Sequence, residues 1–234
     1  MSNFIKGYVK GGNYPPLLEI TISRQLQLAA EKNPDHLACI SQHQSLSLTY
    51  AELYEKAKRL AANMIDNGIK RGDRVGIYAP NCIEWYLIQM ACALSDCIFV
   101  TINPAYKVED LRFCLLNTEI NALITTNSKS PSRLLDNIEK LLEHPLTDRV
   151  GDAGSSHKRH ELPHLKKIFV IDIEKDGSIS KGNVNLDLSI RAKEHKDLNE
   201  LVACFATTCI NATPSPKSVQ AVESIIKYQN QKSL

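Results

Sequence analysis

Between Thr49 and Thr126 the sequence alternates helix-like and strand-like segments, and no other feature limits the possible folds as strongly. TYAELYEKAKRLAANMIDNG has the period of an amphipathic helix, with Thr49 and Glu52 spaced as a capping box and Gly68 where a left-handed helix end belongs. RVGIYAP, CIFVTIN and NALITT are typical of short buried strands. This βαβαβ order predicts an α/β fold with a parallel or mixed sheet and helices on both faces.

Further elements are predicted between and around these strands. Asn81 and Glu84 are spaced as a second capping box, which would begin the apolar helix CIEWYLIQMACALSD, and KVEDLRFCLLNTE is predicted to be the next helix. LKKIFVIDI is predicted to be a strand beside NALITT. The remaining predictions are a helix in ITISRQLQLAAEKN, a strand pair in HLACIS and SLSL, and a helix in SRLLDNIEKLLEH.

The sequence divides into three parts by its pattern of apolar and polar residues. Residues 1–13 are expected to be a flexible amino-terminal segment, and residues 14–173 contain the α/β pattern. Residues 174–234 are expected to form a divergent, weakly ordered tail, because the sequence from Asn211 onward shows no stable period.

Composition limits the class of protein. With 234 residues, 43% of them hydrophobic, the chain can build one sizeable core, and a net charge of +2 gives no field that would favour nucleic acid. The seven cysteines include no CxxC pair and are interpreted as reduced thiols. The amino terminus shows no secretory signal, and the longest uncharged run, residues 85–95, is too short for a transmembrane helix. The expected location is the cytoplasm, with the mitochondrial matrix as the alternative.

The segments LTYAELYEKAKRLAANMIDNGIKRGDRVGIYAPN and FVTINPAYKVEDLRFCLLNTE resemble the amino-terminal part of the AMP-forming acyl-CoA synthetases, of the adenylate-forming ligase superfamily. The segment YPPLLEITISRQLQLAAEKNPDHLACI looks most like the medium-chain branch. The resemblance covers about Tyr14 to Ile173 and implies the amino-terminal fold of these enzymes. It also implies ATP, Mg and coenzyme A as the family's substrates and cofactor, although this region is mainly scaffold.

The family's chemistry depends on motifs that lie further along its sequence. A Ser/Thr/Gly-rich loop ending in Pro-Lys-Gly holds phosphate, and an aromatic-acidic motif, an adenosine-binding aspartate and a carboxyl-terminal lysine follow it. None of the last three is found in this sequence. No catalytic residue, metal ligand or cofactor is therefore assigned to this chain.

The stretch NATPSPKSV is the only candidate for the phosphate loop. Thr213 and Lys217 fall on the family's threonine and lysine, but Asn211, Pro214 and Ser218 stand where the family has glycine. A loop that wraps phosphate needs positive φ angles and close backbone approach, and proline also removes a donor. The loop is interpreted as degenerate or as a coincidental match, and neither interpretation predicts a competent nucleotide site.

Other candidate residues have both a functional and a structural interpretation. Trp85 and Tyr86 could line a substrate groove, but aromatic residues on an apolar helix are typical of a core. The turn from Asn103 to Tyr106 follows a presumed parallel strand, where ligands bind in open sheets, or it only leads into a helix.

Three further groups of residues carry weaker signals. The first two are a metal-binding histidine cluster and nucleophilic cysteines, and both are disfavoured because no acidic ligands or activating bases lie at suitable spacing. The third is a solvated turn, with an interface ion pair as the alternative. The histidine cluster is His157, His160 and His164, and the cysteines are Cys204 and Cys209. The solvated turn contains Arg71, Asp73 and Arg74.

Three hypotheses follow for the chain as a whole. It is a shortened acyl-CoA synthetase that does not catalyse alone, or a non-catalytic interaction module whose apolar surface binds a full-length relative or another protein. The third is an incomplete gene model, for which RNA reads running past Leu234 into a glycine-rich loop would be the decisive observation.

Overall fold

The computed structural model describes residues 7, 11–12, 14–126, 134–143, 162–171 and 213–232. In chain order, the helices are α1 (Ile22–Lys32), α2 (Tyr50–Asp66), α3 (Ile83–Leu94), α4 (Val108–Thr118), α5 (Leu134–Glu143) and α6 (Pro216–Lys232). The strands are β1 (Leu37–Ser41), β2 (Leu46–Thr49), β3 (Arg74–Tyr78), β4 (Ile98–Ile102), β5 (Ala122–Thr126) and β6 (Lys167–Ile171).

A four-stranded sheet in the order β4-β3-β5-β6 forms the centre of the described fold. All three of its strand pairs are parallel, with Val75 opposite Phe99 in one pair and Ala122 opposite Lys167 in another. The predicted α/β class and the position of β6 beside β5 are therefore confirmed. Strands β1 and β2 form a separate antiparallel pair, as predicted.

Each face of this sheet carries its own hydrophobic core. Val75, Ile77 and Phe169 belong to a core that also includes α1, α2, α3 and α6. Tyr78, Leu123 and Ile168 belong to a second core with α4 and α5. Because alternate strand residues point to opposite faces, the two cores confirm the prediction of helices on both sides.

Helix α2 begins and ends as its sequence predicts. Thr49 and Glu52 form a reciprocal capping box at its start. At its end Gly68 has φ +82°, its N–H bonds to Ile65 O at 2.8 Å, and the Ile69 N–H bonds to Met64 O at 3.0 Å. These paired bonds form a Schellman motif, which glycine permits without a Cβ clash.

The predicted capping box between Asn81 and Glu84 at the start of α3 is wrong. The N-cap is Cys82, whose side chain makes no capping bond. Gln44 caps the helix instead: its Oε1 accepts the Ile83 N–H at 2.8 Å, and its Nε2 donates to Glu84 Oε2 at 2.9 Å. The cap of α3 thus comes from a side chain in the β1–β2 turn, and not from Asn81, which the sequence spacing had indicated.

The predicted weak order of the tail is also wrong for the part that the structure describes. Helix α6 packs on α1, α2 and α3, with Val222 and Ile226 in their core. The sequence period is hard to see because two of the buried positions are the polar residues Ser218 and Gln229. Residues 172–212 and most of residues 1–13 lie outside the described residues, so the domain boundaries remain predictions. None of the described helices combines the length and apolarity needed to span a bilayer.

Candidate functional site

The NATPSPKSV stretch leads directly into the first turn of α6. Thr213 and Lys217, the two weak candidates for phosphate binding, are both exposed, and Lys217 is the second residue of the helix. Ser215 is the residue before the helix, and its Oγ accepts the Ser218 N–H at 3.3 Å, as an N-cap does. Asn211 lies outside the described residues. Pro214 therefore lies just before this capped helix start, and Ser218 lies in its first turn.

The carboxylate of Asp66 lies at this helix start. Its Oδ2 accepts the Ser215 N–H at 2.7 Å, and its Oδ1 accepts the Ser215 hydroxyl at 2.6 Å and the Ser218 hydroxyl at 2.5 Å. These hydrogen bonds lower the pKa of Asp66, the Ser215 side chain contributing most. We call Asp66, Ser215 and Ser218 the Asp66 cluster.

This cluster matters because a helix amino terminus is where proteins bind phosphate and other anions. The position is taken here by a carboxylate of the same chain. Asp66 is the last residue of α2, where the helix dipole makes a negative charge unfavourable. The amino terminus of α6 attracts a negative charge, so its contact with Asp66 offsets this cost. An aspartate in a final helical turn is the sequence signal that could have located this contact, which the sequence analysis missed.

The turn after β4 is held by its own side chains. Asn103 Oδ1 accepts the Ala105 N–H at 2.9 Å. The Tyr78 hydroxyl donates to Tyr106 O at 2.6 Å, and Asn137 Nδ2 donates to the Tyr78 hydroxyl at 2.9 Å. These bonds tie the turn to β3 and α5, which supports the structural interpretation of a turn leading into α4.

Trp85 and Tyr86 pack against the core that includes α1, α2, α3 and α6. The Trp85 ring meets the Phe99 ring edge-on at a centroid distance of 5.2 Å. This geometry is typical of aromatic packing, so the structural interpretation holds for Trp85.

The histidine and cysteine candidates gain no support. His164 is exposed, and among the described residues no three metal-ligating side chains lie together. His157, His160, Cys204 and Cys209 lie outside those residues. The five described cysteines are free thiols, and burial raises the pKa of each, that of Cys82 to about 12. They are protonated near neutral pH and therefore weak nucleophiles.

The charged turn between α2 and β3 makes ion pairs inside the chain. Arg71 pairs with Asp96 at 2.5 Å, and its guanidinium lies 4.7 Å from the centre of the Tyr228 ring on α6. Arg74 pairs with Glu119 at 2.6 Å. Both arginines pair with carboxylates of this chain, which agrees with the interpretation as a solvated turn.

The sequence of residues 26–215 matches the AMP-binding enzyme family. The medium-chain acyl-CoA ligase ACSF2, mitochondrial, of Danio rerio is 31% identical over 198 residues, which is 84% of this chain and 32% of that protein. The Homo sapiens protein of the same name is 26% identical over 172 residues, covering 74% of this chain and 27% of the relative. The chain thus spans about a third of the length of these curated relatives.

Solved structures show the same fold. A mutant form of coronafacic acid ligase from Pectobacterium brasiliense superposes with a TM-score of 0.56 at 19% identity, covering 84% of this chain and 30% of that one. A long-chain-fatty-acid-CoA ligase from Archaeoglobus fulgidus superposes with a TM-score of 0.51 at 23% identity, covering 71% and 28%. With the match over residues 26–215, the conclusion is that this chain belongs to the AMP-binding enzyme family and has the amino-terminal fold of the adenylate-forming ligases.

Proposed function

We propose that this chain is the scaffold portion of an ATP-dependent fatty acyl-CoA ligase and that it does not form an acyl-adenylate by itself. The family reaction converts a fatty acid, ATP and coenzyme A to acyl-CoA, AMP and pyrophosphate. Family membership supports the use of ATP, and the names of the ACSF2 relatives support a medium-chain acid. Mg and coenzyme A are part of the proposal through the resemblance alone.

The Asp66 cluster is the observation that carries the proposal. Adenylation develops negative charge on phosphate oxygens, which needs preorganised N–H donors and cations. At the start of α6 the Ser215 N–H already binds Asp66, and the Ser218 N–H binds Ser215 Oγ. A nucleotide phosphate would meet the Asp66 carboxylate where these two N–H donors are already bonded, so the Asp66 cluster does not fit a phosphate group.

The test is acid-dependent exchange of pyrophosphate into ATP by the full chain, with a panel of fatty acids and Mg-ATP. We expect no exchange above the blank without acid. Exchange that Lys217→Ala abolishes would contradict the proposal. Lys227→Ala is the matched control, because this exposed lysine lies on the same helix ten positions after Lys217.

A non-catalytic interaction module is the second candidate. The apolar helix α3 does not supply the exposed surface, because its residues Leu87, Ile88 and Ala91 are buried. The exposed apolar side chains lie elsewhere: Ile98 on β4 is 49% exposed and Phe113 on α4 is 71% exposed. The strand β4 is an edge of the described sheet and contains no charged residue, so its unpaired edge could bind a full-length relative or another protein.

This candidate is tested by size-exclusion chromatography with light scattering and by a dye that binds apolar surface. Self-association or dye binding that Phe113→Lys reduces would support it. A monomer that binds no dye would count against it.

The compartment also belongs to this proposal. The cytoplasm is the first expectation, and the ACSF2 relatives, which are mitochondrial by name, support the matrix alternative. Fractionation of cells that express the chain distinguishes the two.

A further inference from the structure

The segment before α6 contains two consecutive pairs of a hydroxyl residue followed by proline. Residues 213–216 read Thr-Pro-Ser-Pro, and the chain has one further pair of this kind, at residues 130–131. The segment from Thr213 to Ser215 lies outside any helix or strand, Thr213 is exposed and Ser215 is half-buried. A hydroxyl directly before proline in an accessible, irregular segment is the feature that proline-directed protein kinases recognise. The segment therefore has the form of a modification site.

Ser215 is the residue of this segment whose hydroxyl joins α6 to α2. Its Oγ donates to Asp66 Oδ1 at 2.6 Å and accepts the Ser218 N–H at 3.3 Å. Its own N–H donates to Asp66 Oδ2 at 2.7 Å. The hydroxyl thus caps α6 and also bonds to the last residue of α2. A group attached to this oxygen would remove the hydrogen bond that it donates to Asp66.

A phosphate on Ser215 would place negative charge directly against the Asp66 carboxylate. Hydrogen bonds from Ser215 and Ser218 lower the pKa of Asp66, so the carboxylate is ionised near neutral pH. A phosphoserine carries about −1.5 to −2 charges at pH 7, and it has acceptor oxygens where the hydroxyl had a donor. The two anions would repel each other and compete for the same N–H donors.

We propose that Ser215 is a phosphorylation site for a proline-directed protein kinase, and that the phosphate separates the start of α6 from α2. In the transfer, the Ser215 oxygen attacks the γ-phosphorus of ATP held by the kinase. The new O–P bond forms as the bond to ADP breaks, and the hydroxyl proton passes to a carboxylate of the kinase. The inference does not rest on the proposed function, because the phosphate is covalent and another enzyme supplies it.

The separation leaves α6 itself intact. The amino terminus of a helix favours a negative charge, so a phosphate at Ser215 replaces Asp66 as the anion at the start of α6. Val222 and Ile226 still hold the helix in the core that it shares with α1, α2 and α3. The expected change is therefore the loss of one contact between two helix ends, without loss of helix.

The first test treats the full-length chain with a purified mitogen-activated protein kinase and Mg-ATP and locates the phosphate by mass spectrometry. We expect phosphate on Ser215 in the wild type. Pro216→Ala keeps the hydroxyl but removes the recognised proline, so Ser215 should remain unmodified in this variant. Pro214→Ala is the matched control and should leave modification of Ser215 unchanged. A wild-type chain without phosphate on Ser215, or equal modification of Ser215 in Pro216→Ala, would overturn the proposal.

Urea unfolding then measures the effect of the phosphate in two backgrounds. In the wild type we expect the phosphate on Ser215 to raise the equilibrium constant for unfolding at least about ten-fold, the size of one lost hydrogen bond to a charged group. In Asp66→Asn the carboxylate charge is absent, so the same phosphate should raise this constant by a smaller factor. An effect of equal size in both backgrounds, or a phosphate that stabilises the wild type, would contradict the proposal.

Hydrogen exchange locates the change within the chain. We expect faster amide exchange in the last turn of α2 and the first turn of α6 after phosphorylation, with unchanged exchange in β3 and β5, because the phosphate acts at the contact between the two helix ends. The far-ultraviolet circular dichroism should stay the same. Unchanged exchange at both helix ends would show that the phosphate does not separate them, and the proposal would be wrong.

Discussion

At the residue scale, Asp66 joins two helix ends of opposite polarity. It ends α2, whose carboxyl terminus repels a carboxylate, and it binds the amino terminus of α6, which attracts one. The α2 end gains a cation as well, because Lys167 Nζ donates to Asn67 O. The unfavourable carboxylate of Asp66 at the end of α2 is thus offset by contacts with Lys167 of β6 and with the start of α6.

We expect Asp66→Asn to lower the free energy of unfolding by about 1 kcal/mol at neutral pH, the usual size for a lost helix-capping contact. The pKa of Asp66 is lowered in the folded state, so its contribution is fully present above the unfolded pKa of about 3.9. It is lost as pH falls through the lower folded pKa. Urea unfolding of both proteins at several pH values checks this.

The wild type and Asp66→Asn should differ most above about pH 5 and converge below about pH 3, on either side of the ordinary aspartate pKa. Asp35→Asn is the control, because this aspartate is also exposed and is not part of the Asp66 cluster. A difference that persists unchanged in acid would contradict the role given to the carboxylate charge.

Gly76 gives a second residue-scale prediction, which concerns close packing under β3. A Cβ at Gly76 would lie 2.5 Å from Ile120 Cδ1 and 3.1 Å from Ile102 Cδ1. We expect Gly76→Ala to destabilise the fold by about 1–3 kcal/mol through overpacking. Thermal unfolding measures the loss. Ile120→Val removes the nearest atom, so the double variant should recover part of the stability, and a double variant less stable than Gly76→Ala would contradict the steric cause.

At the element scale, the sequence predicted best those elements whose stabilising groups are close in sequence. Helix α2 carries its own capping box and glycine end, and β3, β4 and β5 are apolar runs between turns. The start of α3 was predicted wrongly because its cap, Gln44, comes from the β1–β2 turn. Helix α6 was missed because Ser218 and Gln229 replace apolar residues on its buried stripe.

The α3 cap makes an element-scale prediction. Gln44 bonds both the Ile83 N–H and the Glu84 carboxylate, and Glu84 is 0% exposed, with its Oε1 lacking a hydrogen-bond partner among the described residues. Gln44→Leu would remove a donor from the buried Glu84 carboxyl group and the acceptor from the Ile83 N–H, so we expect a loss of about 3 kcal/mol in the free energy of unfolding. Urea denaturation checks this.

Gln42→Leu is the matched control in the same turn, because Gln42 is exposed. We expect its effect to stay within about 0.5 kcal/mol, as for most surface substitutions. Equal effects of the two changes would show that the hairpin turn, and not the α3 cap, determines the loss.

At the scale of the whole molecule, the sheet and its two cores reproduce the family's amino-terminal fold, while the match of NATPSPKSV to the family's phosphate loop stays a prediction. The fold was predictable because alternating periodicity reports burial on each face of the sheet. The candidate site was only partly predictable: missing glycines at Pro214 and Ser218 indicated a defective loop, but the contact with Asp66 depends on how α2 and α6 pack. Long-range contacts of this kind leave little trace in local sequence.

Calorimetric titration of Mg-ATP into the full-length chain tests most directly whether the start of α6 is closed to phosphate. We predict no saturable binding, with identical traces for the wild type and for Lys217→Ala. Saturable ATP binding by the wild type that Lys217→Ala abolishes would show that the loop holds phosphate despite Asp66, and the account would then be wrong.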